Sequence, residues 1–247
     1  MADRVRVECD GPIARVTLAR GDRHNGVDLD MLAAMAGAVR QLKRRRQLRA
    51  VILAGDGPSF CAGLDMQAVM GSTRARIVAL AALHSPFRNR FQDWGLGWRD
   101  LPVPVLAVIH GNCLGAGLQL ALGADIRFCA PDARLSVMEV KWGLVPDMGG
   151  TVLLRDLVPL DVARELTMTA RVVSGAEAHR LGLVTHVGDE PLEAALALAD
   201  EIAARPRAAV AAAKFLLQSA WPRSERAALA AERRWQRWAI RHRGRDR

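Results

Sequence analysis

Residues 103–119, Val103-Pro104-Val105-Leu106-Ala107-Val108-Ile109-His110-Gly111-Asn112-Cys113-Leu114-Gly115-Ala116-Gly117-Leu118-Gln119, set the architecture of the chain. The run 103–109 is short, apolar and rich in β-branched residues, as a strand buried on both faces must be. Small residues follow it and lead into a helix-compatible stretch. That order leaves backbone N–H groups unpaired at a helix N-terminus, ready to hold an oxyanion.

Similar runs stand on either side. Ala50-Val51-Ile52-Leu53-Ala54, bounded by Gly55, reads as a buried strand, and Asp125-Ile126-Arg127-Phe128-Cys129 as another. Helical patterns lie between them, so the class is α/β with crossover connections. The chain opens as a hairpin: Val5-Arg6-Val7-Glu8 and Ile13-Ala14-Arg15-Val16-Thr17-Leu18 alternate about the turn Asp10-Gly11. A polar loop, Gly21-Asp22-Arg23-His24-Asn25-Gly26, precedes a helix over 28–47 that ends in Lys43-Arg44-Arg45-Arg46, where cations suit the helix dipole. Residues 71–99, with Pro86, Gly95 and Gly97, read as a short helix and a mobile loop. After Gly150 the pattern is mostly helical. Ser174-Gly175-Ala176-Glu177 is a capping box, 192–204 a helix, Pro206 the opening of a third, and Pro222 the start of a last one carrying Trp235 and Trp238 and a basic tail over 241–247. The expected division is an α/β core over 1–190 and a helical assembly region over 191–247.

Composition removes several classes. Of the 247 residues, 51% are hydrophobic, enough to bury a core and avoid disorder. No run reaches the roughly 18 uninterrupted apolar residues of a spanning helix. Met1-Ala2-Asp3-Arg4-Val5-Arg6 lacks the apolar stretch of a secretory signal, which points to the cytoplasm. Cys9, Cys61, Cys113 and Cys129 are too scattered for a disulfide framework or a metal site, so they should pack as reduced thiols. The net charge of +9 suits a polyanionic partner, either nucleic acid or a phosphorylated small molecule.

Three segments combine glycine with polar residues: Gly57-Pro58-Ser59-Phe60-Cys61-Ala62-Gly63-Leu64-Asp65-Met66, then 110–119, then Glu139-Val140-Lys141-Trp142-Gly143-Leu144-Val145-Pro146-Asp147-Met148-Gly149-Gly150-Thr151. Singly, each is a tight turn. Together and in this order they resemble the enoyl-CoA hydratase/isomerase (crotonase) superfamily over nearly the whole chain. The first is similar to its F-C-A-G-x-D segment, the second to H-G-x-x-x-G-G-G followed by A-D-I-R, and the third to E-x-x-x-G-x-x-P-x-x-G-G-T. The resemblance implies a crotonase-like spiral of ββα units, a C-terminal helical trimerisation region giving a homotrimer or hexamer, and an acyl-CoA thioester substrate. No metal and no separate cofactor is implied, coenzyme A being part of the substrate.

Carried over by position, the oxyanion hole falls on the N–H groups of Ala62 and Ala116. Ala116 departs from the usual glycine, a change that matters only if the site needs positive φ. The two carboxylates of the hydratases fall on Gln119 and Glu139, and an amide cannot take up a proton in that role. Glu139 remains as the acid/base, which suffices to shift a double bond. Asp147 stands where dienoyl-CoA isomerases and some acyl-CoA hydrolases of the family carry Asp, although capping the helix near Gly149 would also explain it. The resemblance places coenzyme A against Arg23, Ala62, Leu64, Asp65 and Met66, with His24 near its phosphates and Lys214 as a further contact from a neighbouring subunit. His110 is expected to be a packed strand-end histidine. The leading reading is an enoyl- or dienoyl-CoA isomerase. A hydratase and a thioester hydrolase are the alternatives within the family. From another class comes an RNA-binding relative using 43–46, against which the scarcity of aromatic platforms argues.

Overall fold

A computed structural model describes residues 4–244. The hairpin forms as expected: β1 (Val5–Asp10) and β2 (Ile13–Leu18) pair antiparallel, Val5 opposite Leu18, about a turn where Gly11 has φ +53°. Asp28 caps α1 (Leu29–Lys43), its side chain accepting from Met31 N at 2.8 Å. The chain then lays β3 (Ala50–Gly55) parallel to β2. Three helices follow, α2 (Met66–Met70), α3 (Thr73–Leu83) and α4 (Arg90–Leu96). β4 (Val105–Ile109) runs parallel to β3, and the chain turns out into β5 (Asn112–Leu114) and α5 (Ala116–Leu122). The same sequence of moves recurs as β6 (Ile126–Cys129), β7 (Arg134–Ser136) and α6 (Gly150–Leu154), then α7 (Leu160–Thr169), β8 (Val173–Ser174), α8 (Gly175–Arg180) and β9 (His186–Val187). α9 (Pro191–Ala203), α10 (Arg207–Ala220) and α11 (Glu225–His242) complete it.

The result is two sheets, β1-β2-β3-β4-β6-β9 and β5-β7-β8. The units β4-β5-α5 and β6-β7-α6 each give one strand to each sheet and then a helix, the expected spiral of ββα units, while β1 and β2 both lie in the six-stranded sheet. β3 and β4 are central and parallel, which explains their continuous apolar runs. Leu18, Leu53, Ile109 and Leu118 fill the main core, with relative exposure of 1% or less. Each such side chain contributes about 1.5–3 kcal/mol of transfer free energy.

The sheet's other face bears on the expected division at 190/191. Ile52, Leu106, Val108 and Phe128 pack against Ala195 and Ala199 of α9, so that helix belongs to the core. Within the C-terminal pair, Trp235 stacks on Phe215 (5.5 Å between centroids) and donates to Ser219 Oγ (3.2 Å), zipping α11 to α10 in one chain. α11 starts at Glu225 and not at Pro222, because α10 runs to Ala220 and closes a further turn, Arg223 N to Ala220 O.

The loop expected over 71–99 is also corrected: it is largely helical. Ser72 caps α3, and Asn89 with Gln92 forms a complete capping box on α4. Trp94 and Trp98, 2% and 1% exposed, anchor the segment. Gly95 is a packing residue: a Cβ there would lie 2.7 Å from Met148 O and 2.8 Å from Gln119 O. Cys61, Cys113 and Cys129 are buried free thiols, as expected. No helix among the described residues is long and apolar enough to cross a membrane. Residues 1–3, and 245–247 of the basic tail, lie outside the described residues.

Candidate active site

One wall of the site is made of backbone. Cys61 and Cys113 form a parallel bridge, with Cys61 N donating to Asn112 O (2.9 Å) and Leu114 N to Cys61 O (3.0 Å). Three residues beyond each partner stand Leu64 and Ala116. Among the described residues neither of their N–H groups has a hydrogen-bond partner. Gly63 makes the approach possible: it has φ +96°, and a Cβ on it would lie 2.9 Å from Leu114 O and 3.8 Å from Ala116 N. Ala116 is the first residue of α5, while the positive φ falls on Gly115 (+50°), so alanine fits where the family resemblance implies glycine.

Ala62 does not fit the role expected of it. Its N–H already donates to His24 O at 2.9 Å, and Leu64 is the residue of that loop whose N–H is left over. Two residues that the sequence reading passed over hold this wall. Asn25, at φ +56°, sets its Nδ2 2.8–3.1 Å from the carbonyls of Asp56, Ser59 and Phe60. Arg20 donates to Gly26 O (2.6 Å) and to Asp65 Oδ2 (2.9 Å) and approaches Asp28 at 3.4 Å. The Asn25-Gly26 pair, a favoured left-handed dipeptide, was the available signal.

The opposite corner is made of side chains. Glu139 opens a 3-10 turn, Glu139–Trp142, and is 8% exposed. Its Oε1 accepts from Gln119 Nε2 at 2.6 Å, and among the described residues its Oε2 is buried without a hydrogen-bond partner. Gln119 Oε1 accepts from Met148 N and Gly150 N, both at 2.9 Å. Oε1 of Glu139 would lie 3.4 Å from a Cβ on Gly115, so the acid and the free Ala116 N–H adjoin. Burial holds the Glu139 carboxyl above its ordinary range; its own backbone N–H, the Gln119 hydrogen bond and the Met138 N–H oppose the rise, and nearby Asp147 adds to it. Asp147 opens to solvent, yet partial desolvation raises its proton affinity too. It does not cap α6, whose N-cap is Gly149 with no side-chain bond. Glu139, Gln119 and Asp147 therefore come together as the motif spacing implied.

The expected coenzyme A residues divide. Leu64 and Met66 are half-buried on the rim of the backbone wall. Asp65 caps α2 through Ala68 N (3.0 Å) and pairs with Arg20; burial works to raise its pKa, and these two partners bring it below the usual value. Arg23 is exposed beside it, and His24 Nδ1 meets Ser59 Oγ at 2.9 Å. His110 bridges to Gly57 O (2.9 Å), a packing role as expected. Lys214 is corrected: its ammonium is buried and bonded to Asp125 (2.7 Å), Val103 O (3.0 Å) and Trp98 O (3.3 Å), leaving nothing for a phosphate.

This geometry can be set beside known proteins. Solved structures match the two-sheet spiral almost end to end. An enoyl-CoA hydratase from Bacillus anthracis is 28% identical with a TM-score of 0.89, covering 98% of this chain and 93% of its own. A protein from Thermobifida fusca YX, solved in complex with acetoacetyl-CoA, is 33% identical with a TM-score of 0.86, covering 98% and 96%. Among curated relatives, cyclohexa-1,5-dienecarbonyl-CoA hydratase of Thauera aromatica is 35% identical over 202 residues, 82% of this chain and 74% of the relative. The sequence model of the enoyl-CoA hydratase/isomerase family matches residues 8–246. The chain belongs to that family and is an acyl-CoA enzyme.

Proposed function

We propose that this enzyme shifts a carbon–carbon double bond in an enoyl- or dienoyl-CoA, with Glu139 as the proton carrier. The observation that carries the reading is the pairing at one corner of a single buried carboxylate, whose Oε2 has no partner, with an amide at position 119. The Leu64 and Ala116 N–H groups receive the thioester oxygen, and charge gathers there when the α-proton leaves. A donor so placed is worth about 3–4 kcal/mol of barrier. Oε2 takes the α-proton and returns it at the γ-carbon. Asp147, on the open side, acts as the second acid when the chain is a dienoyl one. Arg23 meets the phosphates of coenzyme A, which enters as part of the substrate and leaves no need of a cofactor.

A second reading is hydration. Its support is the activity named for the Thauera aromatica and Bacillus anthracis relatives. The two readings part on product. Incubation with 2-enoyl-, 3-enoyl- and 3,5-dienoyl-CoA, with products identified by mass and ultraviolet absorbance, should give isomers from the last two and little 3-hydroxyacyl-CoA. A product gain of one water from the 2-enoyl substrate as the fastest reaction would give the second reading its place. Assembly as a homotrimer or hexamer is proposed alongside, and light scattering at one subunit mass, 26.8 kDa, would contradict it.

A further inference from the structure

Gln119 lies one turn into α5 and is 2% exposed. Its amide cannot turn. Met148 N and Gly150 N both donate to Oε1, and a flipped amide would point NH₂ at two N–H groups. With both lone pairs of Oε1 in use, no acceptor is left there for a water. A Cβ on Gly150 would lie 2.7 Å from that oxygen, so the main chain closes tightly around it. Nε2 is consequently held toward Glu139, and at 2.6 Å it takes up Oε1 of the carboxylate. The other oxygen, Oε2, keeps no partner.

From this arrangement we infer that Gln119 is a positioning residue that acts through Glu139: it clamps Oε1, selects Oε2 as the reacting oxygen and ties the carboxylate to the first turn of α6. The inference rests on the proposed role of Glu139. Without Gln119 the carboxylate would keep only the backbone N–H groups of Glu139 and Met138 beside it and would have more freedom about its last torsion. Clamped, it presents one oxygen at a constant angle, which is the geometric requirement for delivering a proton to a defined carbon. The charged group facing Glu139 is Asp147.

The clamp is tested with Gln119→Met, Gln119→Glu and Glu139→Gln in the full chain, using crotonyl-CoA and 3-hexenoyl-CoA and following the faster. In Q119M the shape remains and the donor is gone. We expect kcat to fall about 10- to 100-fold with KM within about threefold, and the acid limb of the pH profile to move to higher pH, because a bond that favoured the charged form is lost. Q119E keeps an acceptor for Met148 N and Gly150 N, so it folds even if Q119M does not. Its protonated form donates to Glu139 as the amide did. The expected profile is therefore a window: activity returns while the carboxyl pair holds one proton and declines as that proton is lost. If Q119E gives the wild-type profile at every pH, or if Q119M keeps wild-type kcat and acid limb while Glu139→Gln is inactive, the clamp is overturned and the role of Glu139 stands. If Glu139→Gln keeps activity within tenfold of wild type, the acid/base assignment fails and the clamp fails with it.

Discussion

The two walls of the site are built on opposite terms. The wall formed by 20–27, 56–65 and the start of α5 is a net of main-chain hydrogen bonds braced by the Asn25 and Arg20 side chains, and it leaves over the two N–H donors proposed to receive the thioester oxygen. The corner formed by Glu139, Gln119 and Asp147 is a small set of side chains, and its functional group is a carboxylate oxygen left without a partner in the core. Apart from the braces at Asn25 and Arg20, a backbone wall tolerates changes of side chain and fails when the chain path is disturbed. A side-chain corner does the reverse: the path survives substitution while the chemistry is lost. Burying an unpaired carboxylate oxygen costs stability at the corner, as leaving backbone N–H groups unpaired does at the wall.

Glu139→Gln should separate the two most sharply. Activity should fall by about three powers of ten or more, since Glu139 is the group proposed to take the α-proton. The fold should gain. The folded-state pKa of Glu139 is raised above the unfolded value, so wild type binds the proton more tightly when folded and loses that stability as pH rises through the folded pKa. Glutamine does not titrate, so the melting temperature of the variant relative to wild type should rise between pH 4 and pH 7. Each kcal/mol recovered is worth about 2–4 °C at this length. A variant that melts lower at pH 7 than at pH 4, relative to wild type, would contradict it.

Gly117→Ala strikes the other wall. A Cβ there would fall inside the carbonyl oxygen of Cys61 and 2.9 Å from its Cβ, so α5 must move away from the 61–64 loop. We expect a loss above about 4 kcal/mol, read as insoluble protein or a collapsed melting transition. Asp147→Asn is milder: about tenfold lower kcat on 3,5-dienoyl-CoA, a smaller loss on 3-enoyl-CoA and an unchanged fold, because Asp147 caps nothing and opens to solvent. The smallest effect belongs to Arg23→Gln on the rim. Acetyl-CoA binding should weaken a few-fold at low salt and less at high salt, as an exposed phosphate contact is screened. Equal loss at both salts would remove Arg23 from the phosphates.

The same contrast explains what could be read from the sequence. Long strands such as β2, β3 and β4 carry enough residues for a pattern, but β8 and β9 have two each and no periodicity to detect. In 71–99 the glycines pointed to a loop. Gly95 is there for close packing against Gln119 and Met148, while the caps Ser72 and Asn89-Arg90-Phe91-Gln92 were legible and outweighed it. The side-chain corner was legible because Glu139, Gln119 and Asp147 are residue types placed by motif spacing. The N–H expected at Ala62 is already bonded to His24 O, and the one left over stands two residues on, because an N–H group has no residue type to read. Only the bridge of Cys61 with Cys113 and the bond from Ala62 to His24 identify Leu64. Lys214 misled for a related reason: a lysine reads as a surface charge, and its burial against Asp125 is a tertiary fact.

The central claim, that Glu139 carries the proton between carbons, is tested most directly by deuterium uptake. Wild type and Glu139→Gln are incubated with 3-hexenoyl-CoA in D₂O, and label at the α- and γ-carbons is followed by mass spectrometry. Wild type should exchange at both carbons, and the folded variant should show no uptake above the enzyme-free control. Uptake by Glu139→Gln within about tenfold of wild type would mean that another group moves the proton.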